Sequence, residues 1–282
     1  MEQVLFLVGP TGVGKSEVVF ILALKLSAEI ISCDSMQVYK GLDIGTAKPP
    51  LSWRRRVPHH LIDVCCPEED FTVAAYSRMA QDKIKEIISR KKLPIVTGGS
   101  GLYYRGLLRG IFPGKGADDG LWEKLEKESV EKGNDYLYRR LKELDPEAAK
   151  KIHPNNLRRL IRALEVCISE GKPFSSLQKE RKGLGPAFDS KTIGLNRERE
   201  SLYRRIEERV ENMFKNELVK EAEGLYNGNR LGRTAMQALG YKEVIGYLKG
   251  EYNLEEARRL LCRDTRRFAK RQLTWFRKEP DI

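Results

Sequence analysis

The sequence predicts an α/β protein in which a mostly parallel sheet is flanked by helices and interrupted by a helical insertion. Three observations carry that prediction. The chain opens on a short apolar run that passes through a glycine-rich turn into a helical pattern. Further short apolar runs follow, separated by stretches long enough to hold a helix, which is the spacing of parallel strands joined by crossovers. A charge-rich helical middle then gives way to one more apolar run at residues 191–195.

Residues 3–8 form the first expected strand and residues 14–26 the first helix. Residues 29–32 read as a second strand, ending just before Asp34, and residues 60–64 as a third. The run 94–97 (PIVT) is a buried strand closed by Gly98 and Gly99. The core so defined covers 1–112 and 191–282, with the insertion at 113–190, opening on Pro113-Gly114-Lys115-Gly116. Within the insertion, Asp145-Pro146 is an N-cap followed by proline at the first helical position. Asn155 or Asn156 caps a helix whose Leu157, Leu160, Ile161, Leu164 and Ile168 make one apolar stripe, stopped by Gly171. Arg158, Arg159 and Arg162 occupy its opposite face. After residues 191–195 return the chain to the sheet, helices are expected at 198–214 and 254–278. The last opens on Asn253 and Glu256 in a capping-box arrangement, with acids early and bases late, as the helix dipole prefers.

The 282 residues carry 52 Lys+Arg against 40 Asp+Glu, a formal net charge of +12. With 33% charged and 40% hydrophobic residues, the chain is too apolar for disorder. No apolar run approaches the ~18 residues needed to span a bilayer, and the start lacks the basic region of a secretory signal. No membrane partner is expected. Cys33, Cys65, Cys66, Cys167 and Cys262 include no CxxC pair, which speaks against a common zinc ribbon or a disulfide scaffold and for a reducing, cytoplasmic setting. The three histidines lack metal-ligand spacing with the cysteines and read as structural. The positive charge is concentrated at 258–278, where nine basic residues stand against one acid, Asp264. Such a run is either a solvated helix face or the footprint of a polyanion.

The octapeptide Gly9-Pro10-Thr11-Gly12-Val13-Gly14-Lys15-Ser16 satisfies G-x-x-x-x-G-K-[ST] at every fixed position, between a strand and a helix. Its backbone N–H groups can turn toward phosphate oxygens at a positive helix end. Lys15 adds a point charge, and the Ser16 hydroxyl can ligate Mg²⁺. These features make the fold P-loop NTPase-like, and the motif is one that ATP-binding proteins share. A P-loop kinase or ATPase places an Asp at the end of a second core strand, yet PIVTGGS ends without an acid. Asp63 could substitute for it. The acid best placed near the loop is Asp34, at the strand edge where open α/β sheets bind ligands. It is either a turn or cap residue, or a base that takes a proton from a nucleophile.

The loop and the stretch that follows it, DSMQVYKGLDIGTAKP at 34–49, closely resemble the signature of the tRNA dimethylallyltransferases, also called tRNA isopentenyltransferases. Further matches are GGSGLYYRGLLRG (98–110), HPNNLRRLIRALEV (153–166), LYRRIEERV (202–210), ALGYKE (238–243) and AKRQLTWFRK (269–278). They run in the family's order over nearly the whole chain. The resemblance implies transfer of a dimethylallyl group from dimethylallyl diphosphate to the exocyclic amine of the adenosine 3′ of the tRNA anticodon. It implies that residues 9–16, with Mg²⁺ on Ser16, hold the diphosphate, that Asp34 binds the adenine amine and accepts its proton, and that Arg209, and less directly Arg205, reaches the diphosphate. Ser100 stands where most family members have threonine, keeping the hydroxyl that would meet the diphosphate or the target nucleotide. Ser35, Met36 and Gln37 match the segment around the flipped base, and Arg158, Arg159, Leu160, Ile161 and Arg162 match a second RNA-contacting segment. The resemblance is to the compact bacterial form, without the zinc-finger extension of many eukaryotic members, and a monomer is expected.

Two other readings compete. A small-molecule P-loop kinase would lack its second carboxylate and would have no use for a basic C-terminal helix. A non-catalytic, nucleotide-regulated RNA-binding module would give Asp34 no task.

Overall fold

The computed structural model describes residues 2–112, 118–181, 183–185, 188–280 and 282; the expected opening of the insertion at 113–116 lies outside them. The chain divides into two compact units, one made of Met1–Leu108 and Leu184–Ile282 and the other of Arg109–Gly183.

In the first unit, β1 (Glu2–Val8) leads through the glycine loop to α1 (Lys15–Leu26), then β2 (Ala28–Ser32), α2 (Leu51–Arg56), β3 (His59–His60), α3 (Val73–Ser89), β4 (Leu93–Gly98) and α4 (Gly101–Arg109). The sheet is parallel throughout, in the order β3-β2-β4-β1 with one further strand at the β1 edge. This is the predicted class. β2 is buried along its whole length, as expected where helices cover both faces of a parallel sheet. Phe6, Val8, Ile31 and Val96 pack into one apolar cluster, whereas Leu7, Ile30 and Ile95 pack with Val19, Phe20 and Ala23 of α1 into another. The alternation along β1 is the two-sided burial that its unbroken apolar run implies.

The expected third strand is mostly absent: only His59 and His60 pair with β2. Leu61 and Asp63 both have φ of 59°, a left-handed backbone that cannot continue a strand. The segment turns away so that Asp63 meets Lys48 and Arg54 at 2.5 and 2.8 Å.

The second unit holds α5 (Asp119–Lys132), α6 (Asn134–Leu144), α7 (Pro146–Ala149), α8 (Leu157–Glu170) and α9 (Phe174–Leu177). Asp145 caps α7 by accepting from Ala148 N–H at 2.9 Å, with Pro146 in the first turn. Asn156 caps α8, and Gly171 ends it in the left-handed conformation. Leu160, Ile161 and Leu164 are fully buried with Leu137 and Leu141. Ile168, the last member of the predicted stripe, is 40% exposed. Its place on the inner face is taken by Cys167, four residues after Ala163, where the α-helical repeat brings a side chain to the core.

The chain re-enters the first unit at Leu184, and β5 (Phe188–Gly194) pairs with β1 from its first residue. Four helices complete the unit: α10 (Arg199–Lys215), α11 (Leu218–Asn227), α12 (Tyr241–Leu248) and α13 (Leu254–Phe276). Asn253 caps α13 by accepting from Glu256 N–H at 2.9 Å.

Candidate active site

All of the described site lies in the first unit, at the carboxyl edge of its sheet. Because β4 pairs with both β1 and β2, the loops that leave these three strands come together: residues 9–16 after β1, Asp34 after β2, and Gly98–Ser100 after β4. Their approach is close. A Cβ on Gly98 would lie 2.0 Å from the Cys33 carbonyl oxygen, so a residue with no side chain is required there.

A cavity of about 410 Å³ opens here, lined among others by Thr11, Gly12, Gly14, Lys15, Ser16, Asp34, Gln37, Arg209 and Gln272. A second cavity, about 260 Å³, shares Thr11, Asp34, Thr46 and Arg209 with the first and adds the apolar side chains of Met36, Met213, Leu239, Leu261 and Phe268. Asp34 and Arg209 therefore stand on the wall common to a cationic lobe and a more apolar one.

In the cationic lobe, Lys15 folds onto its own loop, donating to the carbonyl oxygens of Gly9 (2.9 Å) and Pro10 (2.8 Å). Burial pulls its ammonium down to about 8; the Asp34 carboxylate pushes it back up, and Arg209 depresses it further. Burial also lowers Arg209, against the opposing pull of Asp34 and Glu17. Arg209 donates to Thr11 Oγ1 at 3.1 Å and to the Thr46 carbonyl at 3.5 Å. Arg205 instead spends its guanidinium on the Gly12 carbonyl (3.0 Å) and Glu17 (3.2 Å), bracing the loop from outside. Neither arginine takes the pairing with Glu207 or Glu208 that a plain charged helix would give.

Asp34 plays the turn role, because its Oδ1 accepts from the N–H groups of Met36 (2.9 Å) and Gln37 (3.4 Å). Among the described residues no group takes Oδ2. Ser100 receives the Ser35 N–H at 2.9 Å and donates to Ser35 Oγ at 3.2 Å. It thus fixes the turn that carries Asp34, and it also lines the second cavity. Gln37 is similarly occupied: Oε1 accepts from Ser32, and Nε2 donates to the carbonyls of Thr46 and Ala47. Ser35 and Met36 line the second cavity. Cys33, next to Asp34, has its thiol pushed up to about 12 by burial, so it stays protonated and is no nucleophile.

Several residues that hold the site give weak sequence signals. Glu221 accepts the N–H groups of Asp43, Ile44 and Gly45 at 3.0–3.3 Å, from 176 or more residues away in sequence. Lys48 neutralises Asp63, whose carboxyl burial would raise but which Lys48 and Arg54 hold below its ordinary value. Asp63 is therefore no metal-facing acid. Gln272 on α13 reaches the glycine loop itself; only its place in the AKRQLTWFRK match pointed to it.

In the second unit, Arg158 and Arg159 are exposed, whereas Arg162 pairs with the buried Glu165 at 2.8 Å. Leu160 and Ile161 have no exposed side-chain surface. Their assignment as RNA contacts is corrected: their side chains face the helical core. His59 bonds the Val57 carbonyl and His60 bonds Glu29, each at 2.7 Å. Among the described residues no group of three His, Cys, Asp or Glu side chains could hold a metal ion, and no helix is long and apolar enough to cross a membrane.

A parallel sheet with a glycine loop, a lysine and a carboxylate at its carboxyl edge defines a P-loop-like α/β protein, and comparison with known proteins makes that specific. The IPP transferase family model matches residues 37–279. The tRNA dimethylallyltransferase of Halothermothrix orenii is 48% identical over 283 residues, covering 100% of this chain and 86% of the relative. That of Acetivibrio thermocellus is 49% identical over 284 residues, covering 100% and 91%. Among solved structures, the full-length tRNA isopentenylpyrophosphate transferase of Bacillus halodurans matches with a TM-score of 0.73 at 42% identity, over 100% of this chain and 89% of that one. A eukaryotic dimethylallyltransferase, captured acting on tRNA, matches with a TM-score of 0.83 at 31% identity, over 98% and 70%. The chain belongs to the tRNA dimethylallyltransferase family, transferases that modify tRNA by prenylation.

Proposed function

We propose that the chain transfers the dimethylallyl group of dimethylallyl diphosphate to the exocyclic amine of the adenosine immediately 3′ of the anticodon. The observation that carries this reading is the placement of Asp34 on the wall shared by a cationic lobe and a more apolar one. A diphosphate suits the lobe lined by residues of the 9–16 loop, Lys15 and Arg209. The flipped adenine and the isoprenoid carbons suit the lobe with Met36, Met213, Leu261 and Phe268.

In the reaction the allylic C–O bond to the diphosphate breaks and a bond from that carbon to the adenine nitrogen forms. The amine proton passes to the free oxygen of Asp34, and the electron pair of the broken bond leaves on the diphosphate. An aromatic amine becomes acidic only as its new bond forms, so the base acts in the transition state. Lys15 and Arg209, both half-buried, offset the charge that grows on the leaving group, and partly desolvated cations do this more strongly than fully exposed ones. The donor set fits Mg²⁺, which keeps several waters and binds through one or two protein oxygens and substrate phosphates. Ser16 would hold it, with Glu17 and Glu208 lining the same cavity, and the ion would neutralise part of the leaving-group charge. Reaching Asp34 requires the base to leave the anticodon-loop stack, at a cost of a few kcal/mol that is least in a loop.

Incubation with labelled dimethylallyl diphosphate, Mg²⁺ and unmodified tRNA, followed by digestion to nucleosides, tests the reading. Label is expected in isopentenyladenosine alone. Unlabelled RNA, with ATP consumed against a small metabolite, would establish the kinase reading instead.

A further inference from the structure

Gln272 belongs to the C-terminal helix but ends in the cationic lobe. Its side chain is buried, and its amide joins two loops: Oε1 accepts from Thr11 N–H at 2.8 Å, and Nε2 donates to the Gly99 carbonyl at 2.9 Å. Thr11 is gripped a second time, through its hydroxyl, by Arg209. The tip of the glycine loop is thereby held between α10 and α13 and against the end of β4.

This grip changes what the loop can offer an anion. Pro10 has no N–H. The N–H of Val13 turns back to the Pro10 carbonyl at 3.4 Å, and that of Thr11 is spent on Gln272. The N–H groups of Gly12, Gly14, Lys15 and Ser16 are left to meet phosphate oxygens, and their orientation follows from where Thr11 is pinned. An amide holds Thr11 and Gly99 together in this way because it accepts and donates at once, whereas a carboxylate only accepts and a leucine does neither.

We infer that Gln272 is a positioning residue of the transfer reaction, acting through Thr11 to set the anion-binding shape of the 9–16 loop and tying that shape to α13. The inference rests on the diphosphate reading of the cationic lobe. It also accounts for Gly99, where a Cβ would stand 2.2 Å from Gln272 Nε2 and push the amide out.

The test measures binding of inorganic pyrophosphate, with Mg²⁺ present, by titration calorimetry. It compares the unaltered protein with Gln272→Leu and Gly99→Ala, and follows the KM values for dimethylallyl diphosphate and tRNA in parallel. Gln272→Leu is expected to weaken pyrophosphate about tenfold or more, the usual scale for a buried hydrogen-bonding group left without its partner. The KM for dimethylallyl diphosphate should rise with it, while the KM for tRNA stays nearly constant and the melting temperature falls by no more than about a few degrees. Gly99→Ala displaces the same amide without altering α13 and should reproduce the loss, and combining the two changes should add little. Gly99→Ala also serves as the measurement should Gln272→Leu fail to fold. Unchanged pyrophosphate affinity in the folded variants, or a parallel loss of tRNA binding and melting temperature, would overturn the inference. An unaltered protein that binds no pyrophosphate at all would overturn the diphosphate reading itself, and the inference with it.

Discussion

Lys15 sets the pH behaviour of the site because its charge is held against its own burial. With its ammonium pulled to about 8, the cation is present in the ligand-free protein below that pH and lost above it. Pyrophosphate affinity is expected to decline as pH rises from about 8 toward about 9.5, and the decline should vanish in Lys15→Arg, which keeps its charge throughout. A calorimetric series across that range decides the matter; an unchanged decline in the variant would exclude Lys15 as its source. The same depression opposes folding. The unfolded chain keeps the proton up to the ordinary value of 10.5, so between about pH 8 and 10.5 it binds more protons than the native protein. This contribution therefore destabilises the fold below pH 8 and is relieved as pH rises through that window. Asp34→Asn, which keeps an oxygen to accept from Met36 and Gln37, tests the base. It should lower kcat by at least ~10² with much smaller changes in tRNA and pyrophosphate affinity, and near-normal turnover would remove Asp34 from the reaction. The sequence made Lys15 and Asp34 legible because a glycine loop or a strand end fixes their surroundings locally. Glu221 and Gln272 were not legible as supports, since their partners lie 176 and 261 residues away and only tertiary packing brings them near.

At the scale of elements, α13 changes what the basic run at 258–278 means. Five of its nine cations are already paired: Arg258 with Glu211, Arg259 with Glu256, Arg263 and Arg267 with Asp264, and Arg266 with Glu207. Lys270, Arg271, Arg277 and Lys278 are exposed and have no ion-pair partner among the described residues. Summed charge overstated the run because the acids that answer it come partly from α10, which a window on the sequence does not include. Arg271 also lines the second cavity beside Phe268, a pairing suited to a stacked base. We expect Lys270→Ala to weaken tRNA across sequences and to lower the slope of log affinity against log salt by about 0.7–0.9, one phosphate's worth. Arg259→Ala, whose guanidinium is committed to Glu256, should leave that slope alone. Equal effects from the two variants would return the whole run to being a solvated face. β3 shows the complementary limit of sequence reading. The alternation in LIDV is that of a strand, but the left-handed residues Leu61 and Asp63 end it, because Lys48 and Arg54 recruit the Asp63 carboxylate.

At the scale of the molecule, the proposed chemistry and part of the proposed RNA recognition reside in separately packed units. The first unit contains every described residue of the two cavities. The second has its own core around Leu137, Leu141, Leu160, Ile161 and Leu164, and it buries the Glu165 carboxylate, which is satisfied by Arg162 and the Asp118 N–H. Two cores of this kind can lose stability one at a time. Leu164 is fully buried, and its replacement by alanine should cost about 2–5 kcal/mol, a large share of a small unit's margin. Hydrogen exchange is expected to accelerate through α5–α8 while β1, β2 and β4 keep their protection. Pyrophosphate binding should persist, because the 9–16 loop takes its supports from α10 and α13. Affinity for tRNA should fall, since Arg158 and Arg159 can present a fixed basic face only while α8 is packed. A variant that loses pyrophosphate and tRNA together would mean that the units unfold as one. A variant that keeps both would place RNA recognition on the first unit alone, with α13 and the Asp34 turn sufficient to hold the anticodon loop.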